Sequence, residues 1–294
     1  MGNNYDNKQI NKMLDREYIK EHIMTALKED VREGDHSSLA CIDSSATSKA
    51  KLVAKQDCII CGMEIAKMVF ELVDSTLRFE AFVTDGERVK KGDVLFVVEG
   101  SSISILTAER TVLNYMQRLS GISTTTSDYM KLIEGTTTQL LDTRKTTPTM
   151  RILEKYAVKV GGGTNHRIGL FDMIMLKDNH IDFAGGIEKA IEKTRKYLSE
   201  KNLDLKIEIE VRDFNELERV LAIGQVDRIM LDNFSVEDTK KAVEMIAHRY
   251  EVESSGGITS QTILSYAQTG VDFISVGALT HQIKSVDLSL LAEN

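Results

Sequence analysis

The segment KIEIEVRDFNELERVLAIGQVDRIMLD, residues 206–232, contains the repeat that decides the fold: an apolar strand, a helix and a second apolar strand. The alternation continues on both sides of this segment. Further short apolar runs lie at 138–142, 172–177, 250–255 and 273–277, and helical segments lie at 186–201, 236–250 and 260–270. Strands that alternate with helices at this spacing form βαβ units around a parallel sheet. The sequence therefore predicts an α/β domain, a barrel or an open wound sheet, at residues 121–281.

The N-terminal part of the chain has a different pattern. A helical stretch, Glu17 to Lys28, precedes three β-like runs at 49–62, 75–89 and 93–100. A longer helix follows at residues 104–122 (SILTAERTVLNYMQRLSGI), with an apolar face. We expect residues 1–120 to form a separate α/β sandwich domain, which the C-terminal residues 282–294 join.

Composition excludes several classes of protein. The 294 residues carry a net charge of −8, which argues against a protein that binds nucleic acid or a membrane surface through bulk positive charge. No apolar run approaches the ~18 residues that cross a bilayer, and the polar N-terminus lacks the apolar core of a signal peptide, so we expect a cytoplasmic protein. Three cysteines cannot all pair; we interpret Cys58 and Cys61 as buried structural thiols.

Polar or glycine residues end the apolar runs of the predicted sheet. In chain order, these strand ends are Asp142–Thr143–Arg144–Lys145, Lys177, Glu210, Asp232, Ser255–Gly256–Gly257 and Gly277. In a (β/α) barrel, the C-terminal ends of the strands form the rim that carries the chemistry. The sequence therefore predicts that these residues meet at one rim.

The segment 142–180 is cationic although the chain is acidic, with seven Lys or Arg residues against four Asp or Glu. Arg151, Lys155 and Lys159 are spaced four apart on a predicted helix, and we interpret them as its solvated face. The other cations and one histidine lie in loops or at strand ends: Arg144, Lys145, His166, Arg167 and Lys177. Guanidinium groups bind carboxylates and phosphates in a bidentate manner, so this cluster predicts a small ligand with several negative charges. The alternative is a network of surface ion pairs.

Glycine loops and two carboxylates extend this predicted site. Gly161–Gly163 precede His166, while Ser255–Gly257 and Gly277–Ala278 follow the last two strands. Backbone amides in such loops bind phosphate in (β/α) barrels. Glu210 and Asp232 end neighbouring strands, which suits either Mg²⁺ held largely through substrate oxygens or a general acid/base pair.

The single proline, Pro148, lies between the strand end at Asp142 and the segment TMRILEKYAVKV (149–160). Proline is favoured in the first turn of a helix because its missing N–H is not needed there. We therefore expect Pro148 to begin this helix and to stiffen the loop that carries Arg144 and Lys145.

Several long motifs resemble the quinolinate phosphoribosyltransferase family. They are ALKEDVREGDHSS (26–38), TAERTVLNYMQRLSGIST (107–124), LDTRKTTP (141–148), EKYAVKVGGGTNHRIGLFDMIMLKDNHI (154–181), IEIEV (207–211), MLDN (230–233), SSGGI (254–258) and VDFISVGALTH (271–281). The likeness covers roughly residues 26–290 in one register. The family commonly has Pro-Gly where Pro148–Thr149 stand, and an aliphatic residue where His36 stands.

The resemblance implies an α/β sandwich beside an open, TIM-like α/β barrel, the type II phosphoribosyltransferase architecture. It implies that quinolinate and phosphoribosyl pyrophosphate give nicotinate mononucleotide, pyrophosphate and CO₂, a step of NAD biosynthesis. It also implies Mg²⁺ and a homodimer as the minimal active unit, with a hexamer left open.

The resemblance also assigns roles to single residues. Arg144, His166, Arg167 and Lys177 match the family's quinolinate pocket, and Arg110 matches an arginine that the partner subunit donates. Lys145, Glu210 and Asp232 match residues around phosphoribosyl pyrophosphate and its Mg²⁺, and are the catalytic candidates. Ser255, Gly256, Gly257 and Gly277 match the phosphate loops, and Thr143 and Ala278 adjoin these groups in sequence. Two other readings stay open: a related phosphoribosyltransferase that acts on nicotinate or another anionic ring, and a non-catalytic anion-binding protein.

Overall fold

The structure is a computed structural model, and it describes residues 16–293. Residues 1–15 and Asn294, which the predicted domain boundaries include, lie outside the described residues. Up to the long central helix the elements are α1 Arg16–Asp30, α2 His36–Cys41, β1 Thr47–Ala54, β2 Cys58–Ile59, α3 Met63–Val73, β3 Arg78–Ala81, β4 Arg88–Val89, β5 Val94–Ser101 and α4 Ser102–Leu132.

Strands and helices then alternate to the end of the chain. They are β6 Gln139–Leu141, α5 Arg151–Val160, β7 Ile174–Leu176, α6 Asp178–Ala184, α7 Ile187–Lys201, β8 Ile207–Val211, α8 Phe214–Ile223, β9 Arg228–Asp232, α9 Val236–Ile246, β10 Glu251–Ser255, α10 Ile263–Ala267, β11 Phe273–Ser275, α11 Ala278–His281 and β12 Leu288–Glu293. All six strands predicted from the apolar runs are confirmed.

The chain divides into two compact units. The first contains the described residues up to Ser127, Thr147–Gly162 and the residues from Leu279, and the second contains Asp128–Thr146 and Gly163–Ala278. The predicted boundaries, 1–120 and 121–281, do not anticipate that 147–162 belongs to the first unit. Close packing explains this position, because Ser123 Oγ donates to Ala157 O at 2.7 Å and a Cβ on Gly161 would lie 2.5 Å from Ser123 O.

The first unit contains an antiparallel sheet in the order β12-β1-β5-β3 and a separate β2–β4 ribbon. The C-terminal strand β12 pairs with β1, with Leu290 opposite Leu52. Helix α3 packs on this sheet through Phe70, whose ring lies 5.9 Å from that of Phe79 and 5.8 Å from that of Phe96. Cys58 and Cys61 are buried and unpaired with each other, as predicted, and burial raises the pKa of Cys58 to about 11.

The second unit is built on a six-stranded parallel sheet in the order β6-β11-β10-β9-β8-β7. Alternate residues of its strands face opposite sides. One face carries buried apolar side chains such as Ile209, Leu231 and Ile274, and helices α8 and α10 pack on β8 and β11. The other face carries charged side chains. This face is curled. Thr164 forms a parallel bridge with Leu141 of β6, and His166, two residues further on, contacts Glu208 on β8 and Glu253 on β10.

Two local predictions about helix α5 are wrong. Lys155, predicted to be on a solvated face, has no exposed surface. Helix α5 begins at Arg151, three residues after Pro148, so the proline does not lie in its first turn. Thr149, between the proline and the helix, has φ +67°. This left-handed conformation is not helical, so the helix cannot extend back to Pro148.

Among the helices of residues 16–293, none combines the length and the apolar character required to span a bilayer.

Candidate active site

The strand ends of the second unit bring a predicted substrate cation against a predicted metal ligand. Lys177 Nζ lies 2.6 Å from Glu210 Oε2, at the ends of the paired strands β7 and β8. The Glu210 side chain is 9% exposed and that of Lys177 is 43% exposed. Each group neutralises the other before any ligand binds, while the exposed side of Lys177 leaves N–H donors for an anion.

Two neighbouring guanidinium groups form the cationic part of the site. Arg144 Nε is buried and has no hydrogen-bond partner among the described residues. Burial, followed by the positive charge of Arg144, lowers the pKa of Arg167. The Arg167 guanidinium donates from Nη1 to Met173 O at 3.1 Å. A buried N–H without an acceptor and two like charges in proximity are costly, and an anionic ligand relieves both.

A buried carboxylate anchors the backbone beside both arginines. Asp142, directly after β6, has no exposed surface and accepts hydrogen bonds from Asn165 Nδ2 at 2.5 Å and from the backbone N–H of His166 at 2.9 Å. Arg144 is two residues beyond Asp142, and Arg167 follows His166. One carboxylate thus ties together the two chain segments from which the guanidinium groups project.

His166 lies over a cluster of buried charges inside the curled sheet. Its Nε2 is 3.0 Å from Glu208 Oε2 and 3.3 Å from Glu253 Oε2, and both glutamates are fully buried. Its Nδ1 accepts the backbone N–H of Arg167 at 2.6 Å, so the ring holds its proton at Nε2, toward the carboxylates. Arg228 Nη1 lies 3.2 Å from Glu253 Oε2.

Burial and the charges of neighbouring side chains shift the pKa values of His166, Glu208 and Glu253. Burial disfavours a charged imidazole, but Glu253 and Glu208 outweigh it and raise the pKa of His166. Burial, followed by the charge of Glu253, raises the pKa of Glu208. The pKa of Glu253 itself is lowered to about 2, because His166 and Arg228 overcome its burial.

The loop after β10 is shaped by glycines. Ser255 lies beside Asp232 in the register of β10 and β9. Gly256 has φ +96°, and a Cβ there would lie 2.2 Å from Asn233 Oδ1; Gly257 has φ +61° with open space around it. The backbone at Gly256 therefore contacts Asn233 so closely that no side chain fits there. Gly257 is exposed to solvent.

Comparison with known proteins agrees on one family. The profile described as "Quinolinate phosphoribosyl transferase, N-terminal domain" matches residues 35–120, and that of the C-terminal domain matches residues 122–291. A quinolinate phosphoribosyltransferase [decarboxylating] of Nicotiana glauca, named as mitochondrial, is 42% identical over 92% of this chain and 81% of its own length. A probable nicotinate-nucleotide pyrophosphorylase [carboxylating] of Bacillus subtilis is 39% identical over 89% of both chains. The chain belongs to the quinolinate phosphoribosyltransferase family.

The solved structures agree with this assignment. The nicotinate-nucleotide pyrophosphorylase of Francisella tularensis superposes with a TM-score of 0.89 at 41% identity, over 94% of this chain and 96% of that one. The type II phosphoribosyltransferase fold expected from the sequence is thereby confirmed. The roles that the resemblance gives to individual residues remain predictions.

The other predicted site residues of this phosphoribosyltransferase lie in both units. In the second unit, Thr143 Oγ1 accepts the backbone N–H of Lys145, an exposed residue. Gly277 precedes the four-residue helix α11, which Ala278 begins. Arg110 lies in the first unit, exposed on helix α4.

Sequence reasoning missed Glu208, Glu253 and Arg228 as parts of the site. A signal was present, since Glu208 and Glu210 share one face of β8, and Glu253 and Ser255 share one face of β10. Strands of parallel sheets are usually apolar on both faces. Charged residues at every second position of such strands therefore indicated a polar interior, and the choice of Glu210 by its nearness to the strand end left Glu208 out.

Proposed function

We propose that this chain transfers the phosphoribosyl group of phosphoribosyl pyrophosphate to quinolinate, giving nicotinate mononucleotide, pyrophosphate and CO₂. The observation that carries the proposal is the pair Arg144 and Arg167, which has one buried N–H without an acceptor and a mutual repulsion that a bound anion would reduce. Quinolinate is a dicarboxylate, and Lys177 supplies a third cation on the same rim as Glu210. The family membership and the identities near 40% support the same reaction.

The chemistry that these residues assist is a displacement followed by a decarboxylation. The pyridine nitrogen bonds to C1 of the phosphoribosyl group while the bond from C1 to pyrophosphate breaks. The ring nitrogen is then cationic, so the electrons of the bond to the 2-carboxylate can pass into the ring as CO₂ leaves, and a proton takes its place. Arg144, Arg167 and Lys177 orient the two carboxylates, and Lys145 stabilises the negative charge that develops on pyrophosphate.

The strand-end carboxylates suit Mg²⁺. Glu210 and Asp232 supply hard oxygen ligands, and Mg²⁺ commonly binds one or two carboxylates together with substrate phosphates. Glu210 is already paired with Lys177, while Asp232 is partly exposed and accepts a hydrogen bond from Asn233 Nδ2 at 2.8 Å. When bound, Mg²⁺ would neutralise charge on the departing pyrophosphate.

The proposed active form is a homodimer in which Arg110 of one subunit completes the quinolinate pocket of the other, and a hexamer is the alternative. Arg110 is exposed on α4, as a donated side chain must be. Mixing Arg110→Ala with Arg144→Ala protein should restore part of the activity, since hybrid dimers contain one intact pocket. Absence of recovery after subunit exchange has been demonstrated would refute the shared pocket. The cytoplasmic location stays a prediction.

The decisive experiment is an assay of product and of CO₂ release from quinolinate with Mg²⁺ and phosphoribosyl pyrophosphate. Parallel reactions contain nicotinate in place of quinolinate. Turnover of quinolinate with stoichiometric CO₂ supports the proposal. Turnover of nicotinate alone would make the chain a related phosphoribosyltransferase, and binding of phosphoribosyl pyrophosphate without product would make it an anion-binding protein.

A further inference from the structure

Glu208 and Glu253 are buried charges for which the proposed reaction has no direct use. Both are fully buried on the inner face of the curled sheet, on strands β8 and β10, with β9 between them. Each points a carboxylate oxygen at the same atom, His166 Nε2, at 3.0 and 3.3 Å. Carboxylates are rarely buried so completely, because desolvation costs more than most ion pairs return.

A buried arginine compensates part of the negative charge of these glutamates. Arg228, on β9, contacts Glu253 at 3.2 Å and continues to Glu251, at 3.1 Å, toward the other end of the strands. Its guanidinium lies 3.9 Å above the centre of the Phe273 ring. Arg228 and His166 therefore contact the same carboxylate oxygen of Glu253, Oε2, and Arg228 compensates the buried charge of that carboxylate.

From His166 the contacts continue to a substrate-binding candidate. The backbone N–H of Arg167 donates to His166 Nδ1 at 2.6 Å, which fixes the peptide that leads into Arg167. The negative charge of Glu208 also favours the charged form of Arg167, against the repulsion from Arg144. Removing either glutamate therefore loosens the ring and, through it, the guanidinium group.

We propose that Glu208 and Glu253 are positioning residues, which hold His166 between them and through it place Arg167 for the ring carboxylates of the substrate. Neither glutamate touches substrate in this scheme. Their effect is on quinolinate and not on phosphoribosyl pyrophosphate, because the contacts run from His166 to Arg167 and do not involve the loop at Ser255–Gly257. The inference rests on the proposed function for the identity of the ligand.

The test compares Glu208→Ala, Glu208→Gln and Glu253→Gln in the full-length protein. Steady-state rates give the KM of each substrate, and calorimetry gives the Kd of quinolinate without turnover. We expect Glu208→Ala and Glu253→Gln to weaken quinolinate binding by about tenfold or more, with the KM for phosphoribosyl pyrophosphate within about twofold of wild type. Glu208→Gln should recover most of the affinity lost in Glu208→Ala, because the pKa of Glu208 is raised and a neutral amide that still accepts a hydrogen bond resembles it. The pKa of Glu253 is lowered to about 2, so Glu253→Gln removes a full negative charge as well.

A double-mutant cycle separates positioning from a general loss of structure. In an Arg167→Ala background, Glu253→Gln should weaken quinolinate binding no further, because its effect passes through Arg167. Glu216→Gln is the matched control, since Glu216 on α8 is also buried and bonded to an arginine, Arg212, outside the site. Glu216→Gln should lower the melting temperature without raising the KM for quinolinate relative to the KM for phosphoribosyl pyrophosphate.

Three results would overturn the inference. Both KM values could change together in every variant, as in a structural defect. The losses of quinolinate binding free energy in Glu253→Gln and Arg167→Ala could add in full in the double variant. One equivalent of divalent metal could copurify with the wild type and be lost in Glu253→Gln, which would make the cluster a metal site. Failure of the proposed function is a different result, because wild-type protein would then neither bind nor convert quinolinate.

Discussion

Lys177 Nζ and Glu210 Oε2 form an ion pair of 2.6 Å at the ends of adjacent strands. The pair joins the residue predicted to bind the quinolinate anion to the residue predicted to lie beside phosphoribosyl pyrophosphate. The two predicted substrate sites therefore meet at this ion pair.

Replacing Lys177 with Met should raise the KM for quinolinate about 10- to 100-fold. Hydrogen bonds to charged groups contribute about 1.5–3 kcal/mol, and Glu210 would also be left unpaired beside an anion. Glu210→Gln should instead reduce kcat and weaken phosphoribosyl pyrophosphate binding, since Lys177 remains available to quinolinate. Initial rates with each substrate varied in turn measure both effects. A normal quinolinate KM in Lys177→Met would contradict the role given to the lysine.

Arg144→Ala and Arg167→Ala should each reduce the stabilisation of the protein by a fixed concentration of quinolinate without destabilising the ligand-free protein. Each substitution removes one of two mutually repelling charges, so the unliganded melting temperature should hold or rise. Ligand at about 100 times its Kd stabilises a protein by about 2.7 kcal/mol, which thermal denaturation detects in the wild type. Arg219→Ala is the control, because Arg219 pairs with Glu188 on the helices of the same unit. A clear fall in the melting temperature of ligand-free Arg144→Ala or Arg167→Ala would contradict the proposed repulsion between the two guanidinium groups.

Gly256→Ala should impair phosphoribosyl pyrophosphate binding more than Gly257→Ala. Both positions have positive φ, a backbone strain of roughly 1–2 kcal/mol for alanine. Only at Gly256 does the new methyl group meet Asn233, 2.2 Å from Oδ1, so the loop must move. The KM for phosphoribosyl pyrophosphate in both variants measures the difference. Equal KM values would show that the contact with Asn233 does not shape the loop.

Thr149→Gly should stabilise the protein. Thr149 is a β-branched residue at φ +67°, at the position where the family commonly has glycine. Relief of about 1–2 kcal/mol of strain exceeds the entropy that glycine adds to the unfolded chain, about 0.5–1 kcal/mol. Thr149→Ala is the matched control, because it retains Cβ and should bring no such gain. Denaturant unfolding measures the free energy of unfolding of both variants. A value for Thr149→Ala equal to or above that for Thr149→Gly would contradict the strain at Thr149.

The sequence determined by itself the six parallel strands, the helices between them and the cationic character of the rim. Apolar periodicity and turn residues act over a few positions, so they can be interpreted without knowledge of the fold. The same local reasoning failed at helix α5, because the burial of Lys155 and the backbone of Thr149 depend on what packs around them.

Tertiary structure alone decided which of the many charged residues act together. Glu208 and Glu210 are indistinguishable by periodicity, yet one faces His166 from 42 positions away in sequence and the other faces Lys177. The curl of the sheet brings His166, Glu208 and Glu253 to one point. Electrostatic interactions depend on distance in space and on burial, neither of which the order of residues specifies.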